Sequence, residues 1–442
     1  MGRRLYIVAL LLVCFSYPIT TVTMLALGAD VSAFNVAMKI AIAGMFLFSL
    51  LFAFSIKSRR NFVAVPLILF FLVYSARVLY DVLVLGILLP LQSQTYVFGY
   101  LFGLTVLPII VCYLAIEKTD LRLIHKGTFL LLGIANVALL LHVFLGGDVT
   151  LNTAFSGRMQ VDGELEGTAL LNPITIGLTG AMLAVFAAGR VAVLKKMSAG
   201  SQIAHLSLIG LGMANMLLGA SRGPALAFVL AFLALIYAAS RWRDRVKLQL
   251  RSWLYFIAIL VVVIAVVQVQ DVDIQLVDRF RMMIDERMTG GTEERDFIYA
   301  LAWSDFLANP WFGSSYIVTR GSYMPHNVFL ESLMATGLFG SALMFAAVVY
   351  LSWGTWQLVR GVAGPEGVSI GLVTICLLVL SLSSGSIPGN PEFWTYLTCA
   401  GILGYKFKRT ADRPVRAPAK TAVGNAPFRE RHIDDRIVHR HT

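Results

Sequence analysis

The fold class this sequence predicts is an all-α, polytopic membrane bundle of about twelve spanning helices, and three observations predict it. Of the 442 residues, 58% are hydrophobic and only 14% are charged, against roughly 25% charged in soluble domains, so a water-facing surface for so long a chain cannot be built. Apolar runs of about 20 residues, each enough to cross a bilayer, recur from end to end. Finally, 27 of the 36 Lys and Arg residues fall at the N-terminus, in alternate connecting segments and in the C-terminal tail. That asymmetry sets the orientation of a multi-pass chain, and it accounts for the net charge of +11 without a nucleic-acid partner.

Met-Gly-Arg-Arg precedes the first run, 5–27. The run is longer than a signal-peptide core and lacks a small-x-small cleavage site, so it is read as a span. Further spans are expected at 34–56, 62–85, 96–116, 128–146, 170–189, 203–220, 224–240, 252–270, 326–351, 368–385 and 390–405. With the N-terminus inside, the inner loops hold Lys57 to Arg60, Lys118 to Lys126, Arg190 to Lys196, Arg241 to Arg251 and Arg360. Both termini then face the cytoplasm. Residues 1–409 are expected to form one transmembrane bundle, and 410–442, rich in proline and charge, a disordered basic tail. Cys14, Cys112, Cys376 and Cys399 all lie inside apolar runs without a C-x-x-C spacing, which argues against a disulfide framework or a metal site.

Two outer loops exceed the rest, 147–168 and 271–325, the latter between spans nine and ten. Function concentrates in such loops. In the second, Phe297, Ile298, Leu301, Ala302 and Phe306 repeat at helical spacing before Asn309-Pro310. This predicts a helix over 293–308, either lying on the membrane or packed on the bundle. Five arginines occupy this loop, Arg279, Arg281, Arg287, Arg295 and Arg320, and no lysine does. Outer loops are normally poor in basic residues, so one or two of these are expected to hold an anion. Nine acidic residues share the loop, and they leave surface pairing open for the others.

Charged residues within spans usually line a cavity. Lys39, Arg77, Asp81 and Glu331 all fall in the outer parts of their spans, which predicts a polar cavity open to the outside. Arg77 and Asp81, four residues apart, also suit a plain ion pair. Ser221-Arg222-Gly223-Pro224 makes the outer turn between spans seven and eight. A helix N-terminus presents free amides to phosphate, and Arg222 adds a two-pronged donor; an interfacial arginine reaching the headgroups is the alternative. Pro325-His326-Asn327 enters span ten with the one histidine placed outside. The positive end of a helix disfavours imidazolium, so His326 suits a general base, or otherwise a cap. No H-E-x-x-H, Walker loop or Gly-rich dinucleotide fingerprint is present, so no cofactor is expected.

These pieces, in this order, resemble the O-antigen ligase and polymerase superfamily of bacterial envelope glycosyltransferases. The resemblance runs from about 205 to 345. It rests on Ser-Arg-Gly at 221–223, Asp-Glu-Arg at 285–287, Glu-Arg-Asp at 294–296, Asn-Pro-Trp-Phe-Gly at 309–313, Pro-His-Asn-Val-Phe-Leu-Glu at 325–331, and then Gly337 and Gly340. Arg158, before Leu171-Asn172-Pro173, also fits. Gly313-Ser314-Ser315 departs from the Gly-x-Gly that relatives often carry.

The resemblance implies a GT-C-like bundle in the bacterial inner membrane. It would transfer a glycan from a polyprenyl diphosphate carrier to an acceptor hydroxyl on the extracytoplasmic side, without metal. It implies that Arg222, with Arg158 or Arg295, holds the diphosphate and that His326 takes the acceptor proton. Arg287, Asn327 and Glu331 complete the candidates for holding substrate, with Glu331 equally suited to packing within the bundle. A ligase using lipid A-core as acceptor is favoured by the single dominant outer loop. A polymerase joining carrier-linked repeat units of O-antigen or exopolysaccharide, with a partner that regulates chain length, shares the same pattern. A secondary transporter also suits twelve helices, but neither an internal repeat nor paired broken helices with midplane charges stand out.

Overall fold

The computed structural model describes residues 2–27, 29–53, 64–88, 93–116, 119–145, 161–162, 169–193, 197–240, 275–288, 294–320 and 323–412. In chain order the helices are α1 (Gly2–Ala26), α2 (Val31–Ala53), α3 (Val65–Leu83), and α4 (Gln94–Phe98), which runs through a π-helical stretch (Gly99–Val106) into α5 (Leu107–Ala115). Then come α6 (Leu121–Leu145), α7 (Pro173–Val193), α8 (Ala199–Leu218), α9 (Arg222–Ser240), α10 (Gln275–Met288), α11 (Glu294–Ala308), α12 (Val328–Val359), α13 (Gly364–Ser381) and α14 (Pro391–Ala411). The one sheet among the described residues is a short antiparallel pair, Val161–Asp162 with Ala169–Leu171.

Among the described residues, ten helices, counting α4 to α5 as one, are long and apolar enough to cross a membrane. The chain is thus a polytopic all-α membrane bundle, and these ten match expected spans one to eight, ten and eleven. The ninth, 252–270, lies outside the described residues. The twelfth is α14, a largely buried helix less apolar than the ten because Glu392, Lys406 and Lys408 lie in it. It runs on to Ala411, two residues into the expected tail; residues 413–442 lie outside the described residues. The fifth span begins at Leu121 rather than 128, because Arg122, His125 and Lys126 occupy its first turns, where a helix can leave the apolar slab. Helix α10 was not anticipated at all.

In lipid, close backbone approach supplies much of what the hydrophobic effect supplies in water. A Cβ on Gly180 of α7 would stand 2.4 Å from the Gly212 carbonyl of α8, and a Cβ on Gly404 of α14 would stand 1.8 Å from the Gly354 carbonyl of α12. Asn215 Nδ2 donates to the backbone and side-chain oxygens of Asn136, both at 2.9 Å, and Asn136 Nδ2 donates to the Thr179 carbonyl at 3.0 Å, so α6, α7 and α8 are joined by buried amides.

Helix α12 is broken at Gly337, where φ is +61° and ψ −162°. The amides released by the break need partners, since water is absent at that depth. The turn after α11 supplies them: Leu338 N donates to Pro310 O at 2.7 Å and Phe339 N to Trp311 O at 3.2 Å, while Ser314 N donates to Met334 O at 2.8 Å. Asn-Pro-Trp-Phe-Gly and Gly337 are therefore two halves of one joint, and Gly313, at φ +79°, sits where a Cβ would meet the Ala335 backbone at 2.4 Å. Of the two placements expected for the loop helix, α11 takes packing on the bundle: Ile298 and Ala302 are buried with Val318 and Met334.

The expectation from depth, that the four intramembrane charges line one cavity, does not hold: the cavity that Lys39 lines does not include Arg77, Asp81 or Glu331. Arg77 grips buried Asp81 with a two-pronged ion pair, Nη2 to Oδ1 at 2.8 Å and Nε to Oδ2 at 3.1 Å, and Asp81 also accepts from Tyr316 N at 2.9 Å. The pair thus ties the loop after α11 to α3. Burial, then Asp81 and Glu331 nearby, push the Tyr316 phenol up to about 12, so it stays protonated and donates to Ile87 O at 3.2 Å. Lys39, of the four, lines an open cavity.

Candidate active site

Between α13 and α14 runs Leu382 to Asn390, a turn rich in Ser, Gly and Pro that gathers the candidate residues. Its carbonyls extend the negative end of α13, which attracts donors. Arg295, in the first turn of α11, donates through Nη1 to Ser383 O at 2.8 Å. Asn327 donates through Nδ2 to Leu382 O at 2.9 Å. Gly223, next to Arg222, is so close that a Cβ there would stand 3.1 Å from Ser383 Oγ. The turn is itself held from behind, by Ile387 N donating to Glu331 Oε2 at 2.8 Å, Trp394 Nε1 donating to Ile387 O at 2.9 Å and Thr105 Oγ1 donating to Pro388 O at 3.1 Å.

Arg222 is half-buried and is the first residue of α9, so the helix starts at the arginine rather than at Pro224. Ala220 before it holds a left-handed φ of +41°, and Arg279 of α10 donates to its carbonyl at 3.4 Å. Arg279 was one of five loop arginines in the sequence, and only the fold shows that it buttresses the Arg222 turn. Arg281, by contrast, is exposed and pairs at 3.5 Å with Asp278, the surface pairing left open for some of the five. Arg287 lies in the last turn of α10, and Arg158 lies outside the described residues.

His326 is exposed, with a left-handed φ of +52°, immediately before the cap of α12. That conformation is uncommon for a residue with a side chain. Asn327 makes the cap: its Oδ1 accepts from Phe329 N at 3.0 Å and Leu330 N at 3.1 Å. One amide thus fixes both the start of α12 and its distance from the 382–390 turn. Asn327→Ala is expected to lower stability by about 1 kcal/mol, the usual worth of such a cap, and to lower activity more than this loss explains. Thermal unfolding and turnover measured on the same preparation check it. Glu331 is fully buried, and both its oxygens are engaged, Oε1 by Tyr74 Oη at 2.5 Å and Oε2 by Ile387 N. It therefore positions the turn from inside the bundle.

Beside this cluster opens a cavity of about 360 Å³, lined by α1, α2, α4 with its π-helical stretch, α7 and the 382–390 turn. Its wall includes Leu380 and Ser384, on either side of the carbonyls that hold Asn327 and Arg295, and Met324, two residues before His326. The expected spans 368–385 and 390–405 leave only Ser-Ile-Pro-Gly, 386–389, between them, so most of this turn falls in expected membrane helix.

The arrangement brings the N-terminal ends of α9 and α12, with their positive partial charge, to one turn that Arg295 also reaches; Arg222 and the exposed His326 each stand one residue from the contact, next to Gly223 and Asn327. Such a place can hold an oxyanion and pass a proton at the membrane surface. No curated protein matches the chain. Residues 206–345 match the family model described as O-antigen ligase, which covers α8 from its eighth residue, α9, α10, α11 and the broken first part of α12, and so includes Arg222, Arg295, His326 and Asn327. Over that third of its length, this chain is similar to the O-antigen ligase family.

Proposed function

We propose that this protein transfers a glycan from a polyprenyl diphosphate carrier to the hydroxyl of an acceptor, lipid A-core, at the extracytoplasmic face of the bacterial inner membrane. The observation that carries the reading is the meeting of three helix ends at Leu382–Ser383: the cap of α12 on the Leu382 carbonyl, Arg295 of α11 on the Ser383 carbonyl, and Gly223 of α9 against the Ser383 side chain. In this reading Arg222 and Arg295 hold the diphosphate, and their charge offsets the charge that develops on the leaving group as the sugar departs. His326 removes the acceptor proton as the new glycosidic bond forms, with inversion at the sugar carbon when attack is direct. The carrier diphosphate leaves with the electrons of the broken bond, so neither nucleotide nor metal enters the scheme. Arg158 and Arg287 are further contacts to the carrier or glycan. In this reading the basic loops lie on the cytoplasmic side, as the positive-inside rule favours, and the site lies outside.

A planar guanidinium and a point-like ammonium differ as phosphate partners. Arg222→Ala is expected to lower transfer by about 10²-fold, the scale of one transition-state donor, and Arg222→Lys to restore only part of it. Full transfer by both variants, measured with a carrier-linked glycan in proteoliposomes, would remove Arg222 from the site.

A further inference from the structure

We propose that the cavity around Lys39 is a subsite for an anionic sugar, one bearing a phosphate or a carboxylate, within the acceptor glycan. The assignment of that sugar to the acceptor rests on the transferase reading; the binding chemistry stands on the cavity alone.

A cation placed well inside an apolar helix is costly and marks a site. Lys39 donates from Nζ to Tyr100 Oη and lies 4.6 Å from the Tyr100 ring centroid and 5.8 Å from that of Tyr17. Rings hold an ammonium in place without neutralising it. Among the described residues no carboxylate pairs with Lys39; Glu392, in the first turn of α14, shares the cavity wall. Tyr96 and Tyr100 lie 4.5 Å apart, with Tyr96 exposed, and offer aromatic surface to the C–H face of a sugar ring. Tyr100 lies in the π-helical stretch Gly99–Val106, a distortion frequent at functional sites. Amides complete the wall: Asn35, Asn172 and Asn390 face the same space and can address hydroxyl groups. The volume of about 360 Å³ is at the lower end of the range for small-ligand sites, roughly 300–1,000 Å³, and suits one or two sugar rings. A sugar seated there lies next to Ser384 and Met324, and so beside the turn that holds Arg295 and the segment that carries His326.

The test is calorimetric titration of the full-length protein in nanodiscs with glucose 1-phosphate, glucuronate, glucose and inorganic phosphate. One or both of the anionic sugars should bind about tenfold more tightly than glucose or phosphate, the scale of one charge-assisted hydrogen bond; which one does so identifies the anionic group. Lys39→Met should abolish that preference, whereas Lys39→Arg and Arg222→Ala should keep it. Equal binding of glucose and the anionic sugars would overturn the proposal, as would a preference that survives Lys39→Met. Should Lys39→Met not fold, Tyr96→Ala, at an exposed ring, should weaken sugar binding severalfold, and unchanged binding would overturn the proposal equally. Transfer is followed in the same nanodiscs. A preference without transfer by the wild type leaves the subsite and removes the transferase reading; transfer without a preference does the reverse.

Discussion

Replacing His326 by alanine or by glycine is expected to lower glycan transfer by about 10²- to 10⁴-fold, the contribution of a positioned general base. The two variants differ in the fold. At φ +52° a side chain carries strain on the order of 1 kcal/mol, which glycine releases and alanine keeps. His326→Gly should therefore be at least as stable as wild type while nearly inactive. A residue retained only to cap or anchor α12 would show the opposite: loss of stability in both variants with transfer largely kept. The histidine is exposed, and the cap of α12 is made by Asn327 rather than by the imidazole. Donor binding should change less than turnover, because the ring meets the acceptor proton rather than the diphosphate. Turnover at saturating donor, with thermal unfolding of the same samples, checks both statements.

The second large effect is structural. Gly337→Ala is expected to cost about 3 kcal/mol or more, since it combines a disallowed conformation with backbone overlap. A Cβ at Gly337 would lie 2.4 Å from the Trp311 carbonyl carbon and 2.5 Å from Phe312 N. Neither is the movable end of a side chain. To relieve the overlap the Asn309–Gly313 turn would have to leave the break in α12, taking with it the partners of Leu338 N and Phe339 N. Helix α11, and with it Arg295, would lose its anchor. Gly210→Ala in α8 is the control, because nothing lies within 4 Å of a Cβ there, and it should be neutral or slightly stabilising. Size-exclusion chromatography in detergent after stepwise heating separates the outcomes. A Gly337→Ala protein as heat-resistant as wild type would show that the joint is not rigid.

Much of the fold was legible because a bilayer reduces the problem to length and polarity. Runs of about 20 apolar residues can do little but cross it, and ten such helices are present among the described residues. The entry of the loop into α12 and the end of α11 at Asn309-Pro310 were legible from turn chemistry. What escaped the sequence depends on distant partners. Gly337 in an apolar run looks like any glycine of a membrane helix, and its conformation is decided by a turn some twenty-five residues earlier. The depth of Asp81 and Glu331 was readable, but not that one accepts from Tyr316 N and the other from Ile387 N. Depth pointed to one cavity, and the structure shows two clamps and one lysine in a cavity. Most of all, the 382–390 turn has no charged residue to draw attention to it. Its part in the site comes from its backbone carbonyls, whose partners Asn327 and Arg295 lie 55 and 88 residues away.

The measurement that tests the central claim most directly is transfer by the purified protein in proteoliposomes. They would contain a polyprenyl diphosphate-linked glycan and lipid A-core, with no nucleotide added, and products would be separated by gel and weighed by mass spectrometry. The account predicts that the glycan moves to lipid A-core in the wild type and stays on its carrier with His326→Ala. A donor left intact by the wild type would contradict glycan transfer, and a ladder of carrier-linked repeats with no modified lipid A-core would contradict the ligase assignment and make the protein a polymerase.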